Sequence, residues 1–294
     1  MRTRHIGTCL FVMAGILAMG EGQDAAEVAG IGRTLSASKW RTGAEEDEVR
    51  TFLLGNTLFT LYHELAHALV SDLYLPVVGK EEDAADGFAA VMMIPRDGQP
   101  LQANLIKAAA RGWSLAGRED AEDGEDLAFW GLHSLDEQRH FALVCYLAGS
   151  DPKRFNRYAL DSGMPKSRVK MCRGDYLMML DGWMRLLDTH FLEKPSNVSG
   201  SISVAYAEPR GEVEAAVRDL VKASGLMEYA AVAVEHMVDL PRDIEIDFKH
   251  CTMPWNAAYW DPFKARVVIC YHFIEEFRGL IREDMVERSL PQLE

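Results

Sequence analysis

The chain has 294 residues, of which 48% are hydrophobic and 26% are charged. This is an ordinary globular composition, so it excludes wholesale disorder and allows one large domain or two lobes. The formal net charge of -14 argues against a nucleic-acid partner, because nucleic acids are bound by basic surfaces.

The N-terminus has the pattern of a secretory signal peptide. A basic start at Arg2 and Arg4 precedes an uncharged apolar stretch over residues 6–19 and then small residues suited to cleavage. We therefore expect a signal peptide over residues 1–20 and a small, polar linker over residues 21–48. An uncleaved membrane anchor is the alternative, although the apolar stretch is short for a span. No later segment looks able to span a membrane, so a periplasmic or secreted protein is predicted.

Four cysteines follow the predicted signal peptide: Cys145, Cys172, Cys251 and Cys270. An even number in an exported protein favours two disulfide bonds. Three pairings are open, and the most local one, Cys145–Cys172 with Cys251–Cys270, is preferred. Four buried free thiols are the alternative. A cysteine metal site is disfavoured, because the chain has no closely spaced CxxC pair.

Helical periodicity begins near residue 49. Apolar residues recur at spacings of three and four in Leu58, Leu61, Leu65 and Leu69. This spacing predicts a helix over residues 49–74 with a leucine face toward the core, limited by Pro76. Further helices are predicted over residues 80–93, 101–117, 132–147, 166–190 and 212–238. The last of these has a predicted break near Gly225, and the acidic stretch 118–126 is predicted to be a surface loop.

Strand patterns are confined to the later part of the chain. Residues 199–207 alternate as a short strand does, and β-like runs cover residues 244–251 and 265–273. The last two runs are predicted to form a hairpin or a two-strand pair around an aromatic loop over residues 254–262. The predicted fold is therefore mainly α with a small β-sheet, in the α+β class.

The helix over residues 49–74 carries the strongest chemical signal, the HExxH sequence His63-Glu64-Leu65-Ala66-His67. Four residues turn a helix by about 400°, so both imidazoles point the same way and can bind one Zn²⁺ ion. Glu64 is then placed to accept a proton from the attacking water. The alternative is a helix with two histidines that bind no metal.

A third ligand is available on the next predicted helix, which begins with Glu81, Glu82 and Asp83 and continues to Asp86. Glu82 and Asp86 are four residues apart and share one helix face, whereas Glu81 is rotated away from Asp86. We therefore expect Glu82 to bind the metal and Asp86 to accept the N–H of a ligand histidine. The alternative is an acidic first turn that favours the helix dipole.

These segments resemble a known family. Residues 59–69 and 75–86 are similar to a bacterial family of proposed metallopeptidases that is catalogued as a domain of unknown function, and the resemblance continues through residues 133–139 and 251–271. The HExxH plus ExxxD arrangement also resembles the glutamate-type zincins. The resemblance implies a zinc peptidase domain over residues 49–294.

Two features depart from those zincins. The interval from His67 to Glu82 is short, and the strand patterns follow the metal-binding helices where zincins have them before. We therefore expect zincin-like metal-binding helices with a sheet contributed by the C-terminus.

The predicted reaction also needs a group to stabilise the oxyanion, and His133, Tyr259 and Arg139 are the candidates. Each has a structural alternative: a helix start for His133, hairpin packing for Tyr259 and a salt bridge for Arg139.

The function predicted from the sequence is zinc-dependent hydrolysis of a peptide or protein substrate, with Glu64 as general base. The alternatives are a non-catalytic metal-binding envelope protein and a hydrolase of other amide bonds. The sequence carries no signal for an oligomeric state.

Overall fold

The computed structural model describes residues 43–95, 100–122, 127–192, 199–253 and 257–289. The predicted signal peptide and residues 21–42 of the predicted linker lie outside this part. The chain divides into two compact units. We call residues 67–76 and 183–272 the sheet unit. The helical unit comprises residues 43–66, 77–182 and 273–289.

The described residues form a mainly helical protein with one small sheet. The ten helices are α1 (Ala44–Asp72), α2 (Glu81–Met93), α3 (Pro100–Glu122), α4 (Asp136–Ser150), α5 (Pro152–Asp161), α6 (Lys166–Val169), α7 (Cys172–Leu186), α8 (Glu212–Ser224), α9 (Leu226–Glu235) and α10 (Tyr271–Ser289). The four strands are β1 (Ile202–Tyr206), β2 (Ile244–Lys249), β3 (Ala258–Asp261) and β4 (Arg266–Cys270). The predicted fold class is therefore confirmed.

Several helices differ from the predicted ones at their ends. Helix α1 begins at Ala44 inside the predicted linker, where acidic residues in its first turn suit the helix dipole. Helix α3 continues to Glu122, through part of the predicted surface loop. The break predicted near Gly225 is present, because this glycine adopts a φ of 65° between α8 and α9, where it closes the first helix.

Helix α5 was not predicted from periodicity. Its start is stabilised by the residues at its N-terminus. The Asp151 side chain accepts hydrogen bonds from the backbone N–H groups of Lys153 and Arg154, at 3.1 and 3.2 Å. Pro152 follows at the first helical position, where its missing N–H costs nothing.

The sheet has the strand order β1-β2-β4-β3. Strands β1, β2 and β4 are parallel, and β3 runs antiparallel to β4. The predicted pairing of residues 244–251 with 265–273 is present between β2 and β4, with Ile246 opposite Val267. It is parallel and not a hairpin, because β3 lies between the two strands in the chain and forms the hairpin with β4 itself.

Helix α1 is buried on nearly all sides between Phe52 and Ala66. The leucine face predicted at residues 58, 61, 65 and 69 is buried, with at most 5% exposure. The opposite side is also buried, since His63 and Glu64 are only 5% and 7% exposed. His63 and Glu64 are therefore buried and not on a solvent-facing side.

Two disulfide bonds are present, Cys145–Cys172 in the helical unit and Cys251–Cys270 in the sheet unit. These are the local pairs that the sequence favoured. Structural disulfides form in oxidising compartments, so the bonds indicate an extracytoplasmic protein. Among the described helices, none combines the length and apolar composition that a membrane crossing requires.

Candidate metal centre

Helix α1 presents the HExxH residues along one turn. His63 and Glu64 are adjacent and buried. His67 follows one turn later, among the first residues of the sheet unit, and is half-buried. Helix α1 is continuous from Ala44 to Asp72, so both histidines lie on one unbroken helix, and the binding of His67 to a metal ion stays a prediction.

Helix α2 brings two carboxylates to the His63 imidazole. Asp86 Oδ1 lies 2.7 Å from His63 Nδ1, and Glu82 Oε2 lies 3.1 Å from His63 Nε2. Both carboxylates reach the same ring because they are one turn apart on the same face of α2. Each nitrogen of His63 therefore has a carboxylate partner.

His133 joins the same group from the segment that precedes α4. Its Nε2 atom lies 2.9 Å from Glu82 Oε2, and its ring stacks on that of His63 at a centroid distance of 6.0 Å. The side chain is 53% exposed, in contrast to the 6% of His63. Glu82 is thus shared between a buried and an exposed imidazole.

Three hydrogen bonds hold the His133 segment against the start of α2. Lys80 Nζ donates to the carbonyl oxygens of Gly131 and His133, at 3.3 and 3.1 Å. Ser134 Oγ donates to Asp83 Oδ1 at 2.6 Å. Asp83 and Lys80 therefore help to place His133, although neither side chain belongs to the candidate metal-binding group.

The ligand atoms of His63, Glu82 and His133 all lie within 4.8 Å of one another, which makes this group a candidate metal site. Two imidazoles and a carboxylate are a donor set that suits Zn²⁺. A histidine that binds zinc usually hydrogen-bonds a carboxylate through its other nitrogen, and His63 has that contact with Asp86. The described residues therefore fit a bound divalent cation.

Asp86 is in turn fixed by a buried arginine. Arg139 Nε and Nη2 donate to the two oxygens of Asp86 at 2.8 and 2.7 Å. The Arg139 guanidinium lies over the Trp113 ring, with 3.5 Å from Cζ to the ring centroid. Of the two roles considered for Arg139, the structure places it in a salt bridge. Trp113 was missed by the sequence reasoning, because no local pattern distinguishes it from a core residue.

Burial and charged neighbours shift the pKa values of His63 and Asp86 in opposite directions. Burial lowers the pKa of His63, but the hydrogen bonds with Asp86 and Glu82 raise it to about 9. Burial raises the pKa of Asp86, but the charge of Arg139 and the hydrogen bond with His63 bring it below its ordinary value. Asp86 is therefore ionised at neutral pH, and His63 must lose a proton before its imidazole can bind a metal ion.

Tyr259, the remaining predicted site residue, lies in the sheet unit. It is on β3, opposite Val268 of β4, and is half-buried. The sequence placed it in a loop, but that part of the predicted loop is a strand, while residues 254–256 lie outside the described part. Its proposed role at the oxyanion stays a prediction.

Comparison with known proteins gives one family. A family model described as "Putative metallopeptidase" matches residues 31–187 and 206–292, which include the HExxH motif, Glu82, Asp86 and His133. No curated protein and no solved structure matches the chain.

Proposed function

We propose that this chain, which belongs to the putative metallopeptidase family, is a zinc-dependent enzyme that hydrolyses peptide bonds. One observation carries the proposal: the ligand atoms of His63, Glu82 and His133 converge beside the glutamate of an HExxH helix. A convergence of this kind would be unnecessary in a helix whose histidines serve packing alone.

The proposed ligands are His63, His67 and Glu82. His63 and Glu82 are supported by both the motif and the geometry. When bound, a zinc ion would lower the pKa of a water molecule and polarise the scissile carbonyl. Imidazole nitrogens with one carboxylate favour zinc over magnesium or calcium, which prefer oxygen donors alone.

Glu64 is the proposed general base. It follows His63 directly in α1 and is 7% exposed, so its carboxylate lies in an environment with little water. In the proposed reaction Glu64 accepts the proton of the attacking water and delivers it to the nitrogen of the leaving amine. The bond that breaks is the C–N bond of the peptide, and water supplies both the hydroxyl and the proton.

His67 and His133 are both candidates for the third protein ligand of the proposed metal ion. We assign it to His67, because a long helix holds a ligand in one geometry, and we assign to the exposed His133 a hydrogen bond to the oxyanion. His67→Ala should then lose zinc. His133→Ala should keep zinc and lose roughly 10²–10³ in kcat. If His67→Ala kept zinc and His133→Ala lost it, the ligands would instead be His63, Glu82 and His133.

A second candidate function is a non-catalytic metal-binding protein of the cell envelope. The proximity of His133 to Glu82 favours it, because four protein ligands would close the coordination sphere, as in structural zinc sites. In that case zinc would raise the thermal stability of the protein without any hydrolytic activity.

The test is hydrolysis of an unstructured protein, such as quenched-fluorescent casein, by the chain from residue 21 onward. Removal of metal by 1,10-phenanthroline should abolish cleavage, and one equivalent of Zn²⁺ should restore it. Zinc binding without cleavage of casein or of a simple amide panel would contradict the enzymatic proposal and support the structural one. Cleavage of the simple amides but not of casein would assign the activity to other amide bonds.

The proposed location is the periplasm or the exterior of the cell. The predicted signal peptide and the two disulfide bonds support this proposal. N-terminal sequencing of the protein from a bacterial host should give a start near Glu21. A start at Met1 in the cytoplasmic fraction would contradict the proposed export.

A further inference from the structure

A buried arginine is connected to His63 through one intervening carboxylate. Arg139 Nε contacts Asp86 Oδ2, and Nη2 contacts Asp86 Oδ1, the same oxygen that accepts from His63 Nδ1. The side chains of Arg139 and Asp86 are 8% and 10% exposed. The connection therefore lies in the interior, where little water competes for these bonds.

An aromatic pair completes the connection. The Trp113 ring carries the Arg139 guanidinium on one side and meets Phe59 edge-on, at a centroid distance of 6.0 Å. Phe59 is one turn before His63 on α1, and the two rings are 6.3 Å apart. These contacts form a continuous ring of side chains from α1, α2, α4 and α3, which starts at His63 and returns to it.

We propose that Arg139 is a positioning residue of the metal site, which sets the direction of the His63 imidazole through Asp86. The inference rests on the proposed function, because it requires the metal site at His63. It differs from the oxyanion role considered for Arg139, since the guanidinium acts through another residue and touches no reacting atom.

The geometry explains how such positioning works. A guanidinium that binds both oxygens of a carboxylate fixes its rotation as well as its position, which a single hydrogen bond does not. The hydrogen bond that Asp86 Oδ1 accepts from His63 Nδ1 is therefore fixed in direction. With Nδ1 directed at Asp86, Nε2 is the nitrogen held toward Glu82 Oε2, 3.1 Å away, and it is the nitrogen left to bind a metal ion.

The experiment measures the Zn²⁺ dissociation constant by competition with a chromophoric chelator, in the wild-type chain and in Arg139→Gln and Arg139→Lys. We expect roughly 10- to 100-fold weaker binding in Arg139→Gln, the usual effect of losing a partner of a metal-binding histidine. Arg139→Lys should recover only part of this loss, since an ammonium group cannot bind both oxygens as a fork does.

Arg111→Gln is the matched control. Arg111 belongs to the same unit and also bonds two carboxylates, Glu48 and Asp284, but its partners contact no histidine of the metal site. We expect this variant to lower thermal stability and to leave zinc affinity within about twofold of the wild type. The visible absorption of the Co²⁺-loaded proteins provides a second readout, because it reports ligand geometry. It should change in both Arg139 variants and stay unchanged in the control.

The outcomes separate the two proposals. Wild-type zinc affinity and an unchanged Co²⁺ spectrum in a folded Arg139→Lys or Arg139→Gln protein would overturn the positioning role alone. A wild-type chain that binds neither Zn²⁺ nor Co²⁺ would overturn both proposals. Should Arg139→Gln fail to fold, Trp113→Leu removes the support of the guanidinium and keeps its charge; it should weaken zinc binding by several-fold, and unchanged binding would count against the inference.

Discussion

Two ionic clusters lie within the helical unit, and they differ in the groups that meet their carboxylates. The metal-site cluster consists of His63, Glu82, Asp86, His133 and Arg139. The arginine cluster consists of Glu48, Arg111, Arg118, Asp284 and Arg288. The first contains imidazoles, and the second contains only carboxylates and guanidinium groups.

The central carboxylates of the two clusters are equally buried. The side chains of Asp86 and Asp284 are each 10% exposed, and each has a pKa below its ordinary value. Burial of a charge and a lowered pKa therefore do not distinguish a metal site from a structural ion-pair network. The distinction lies in the imidazoles, since a guanidinium group stays protonated and cannot bind a metal ion.

The largest expected difference between the clusters is catalytic. Glu64→Gln should lower kcat for peptide hydrolysis by roughly 10²–10⁴, because the general base is lost, and should keep one zinc ion per chain. Full activity in this variant would rule out the proposed mechanism. The matched change in the arginine cluster, Glu48→Gln, should leave kcat within about twofold.

The next prediction concerns the third ligand. Glu82→Gln should weaken zinc binding by on the order of 100-fold, because a neutral amide is a poor zinc ligand. Glu81→Gln makes the same substitution at the neighbouring, exposed glutamate and should leave the zinc affinity unchanged. Equal effects of the two substitutions in the competition assay would show that α2 acts only through its overall charge.

Asp86→Asn and Asp284→Asn compare the central carboxylates directly. Asp86→Asn should weaken zinc binding by roughly 10- to 100-fold, since the amide no longer orients His63 as the carboxylate does. Asp284→Asn should not change zinc binding. A loss of affinity in both variants would mean that the metal site responds to general destabilisation of the helical unit.

The smallest expected effect is on stability and depends on pH. Burial raises the pKa of Asp284, but the hydrogen bonds and charges of Arg111, Arg118 and Arg288 lower it overall. A carboxyl group with a lowered pKa in the folded state stabilises the protein above its unfolded pKa of about 4, and this contribution disappears as the pH falls further.

Asp284→Asn should therefore reduce the free energy of unfolding by about 1 to 2 kcal/mol at pH 7. The difference from the wild type should shrink below about pH 4, as measured by urea denaturation at several pH values. A difference that persisted at pH 3 would show that the arginine cluster acts by packing and not by charge.

Local features of both the fold and the site could be predicted from the sequence. Helical spacing alone was enough to put Glu82 and Asp86 on one face of α2, and in the structure they contact the two nitrogens of His63. Their roles at a metal ion stay predictions. The break at Gly225 and the disulfide pairs were also visible, because each depends on residues close in the chain.

Contacts between distant residues could not be predicted in this way. His133 was named for a different role, and its contact with Glu82 across 51 positions arises from the packing of α4 against α2. The stacking of Arg139 on Trp113 has no local signature. Helix α10 was missed because it begins at Tyr271, immediately after the last residue of β4. The apolar pattern of the strand runs directly into the helix, so the sequence shows no boundary between the two elements.

The most direct test of the proposed metal site is anomalous diffraction from crystals of the zinc-loaded protein, with data collected on both sides of the zinc absorption edge. The proposed metal site predicts one anomalous peak about 2.0–2.2 Å from His63 Nε2 and from a carboxylate oxygen of Glu82, with one coordination position open to water. A peak at another place, or no peak in a protein that has taken up zinc, would contradict it.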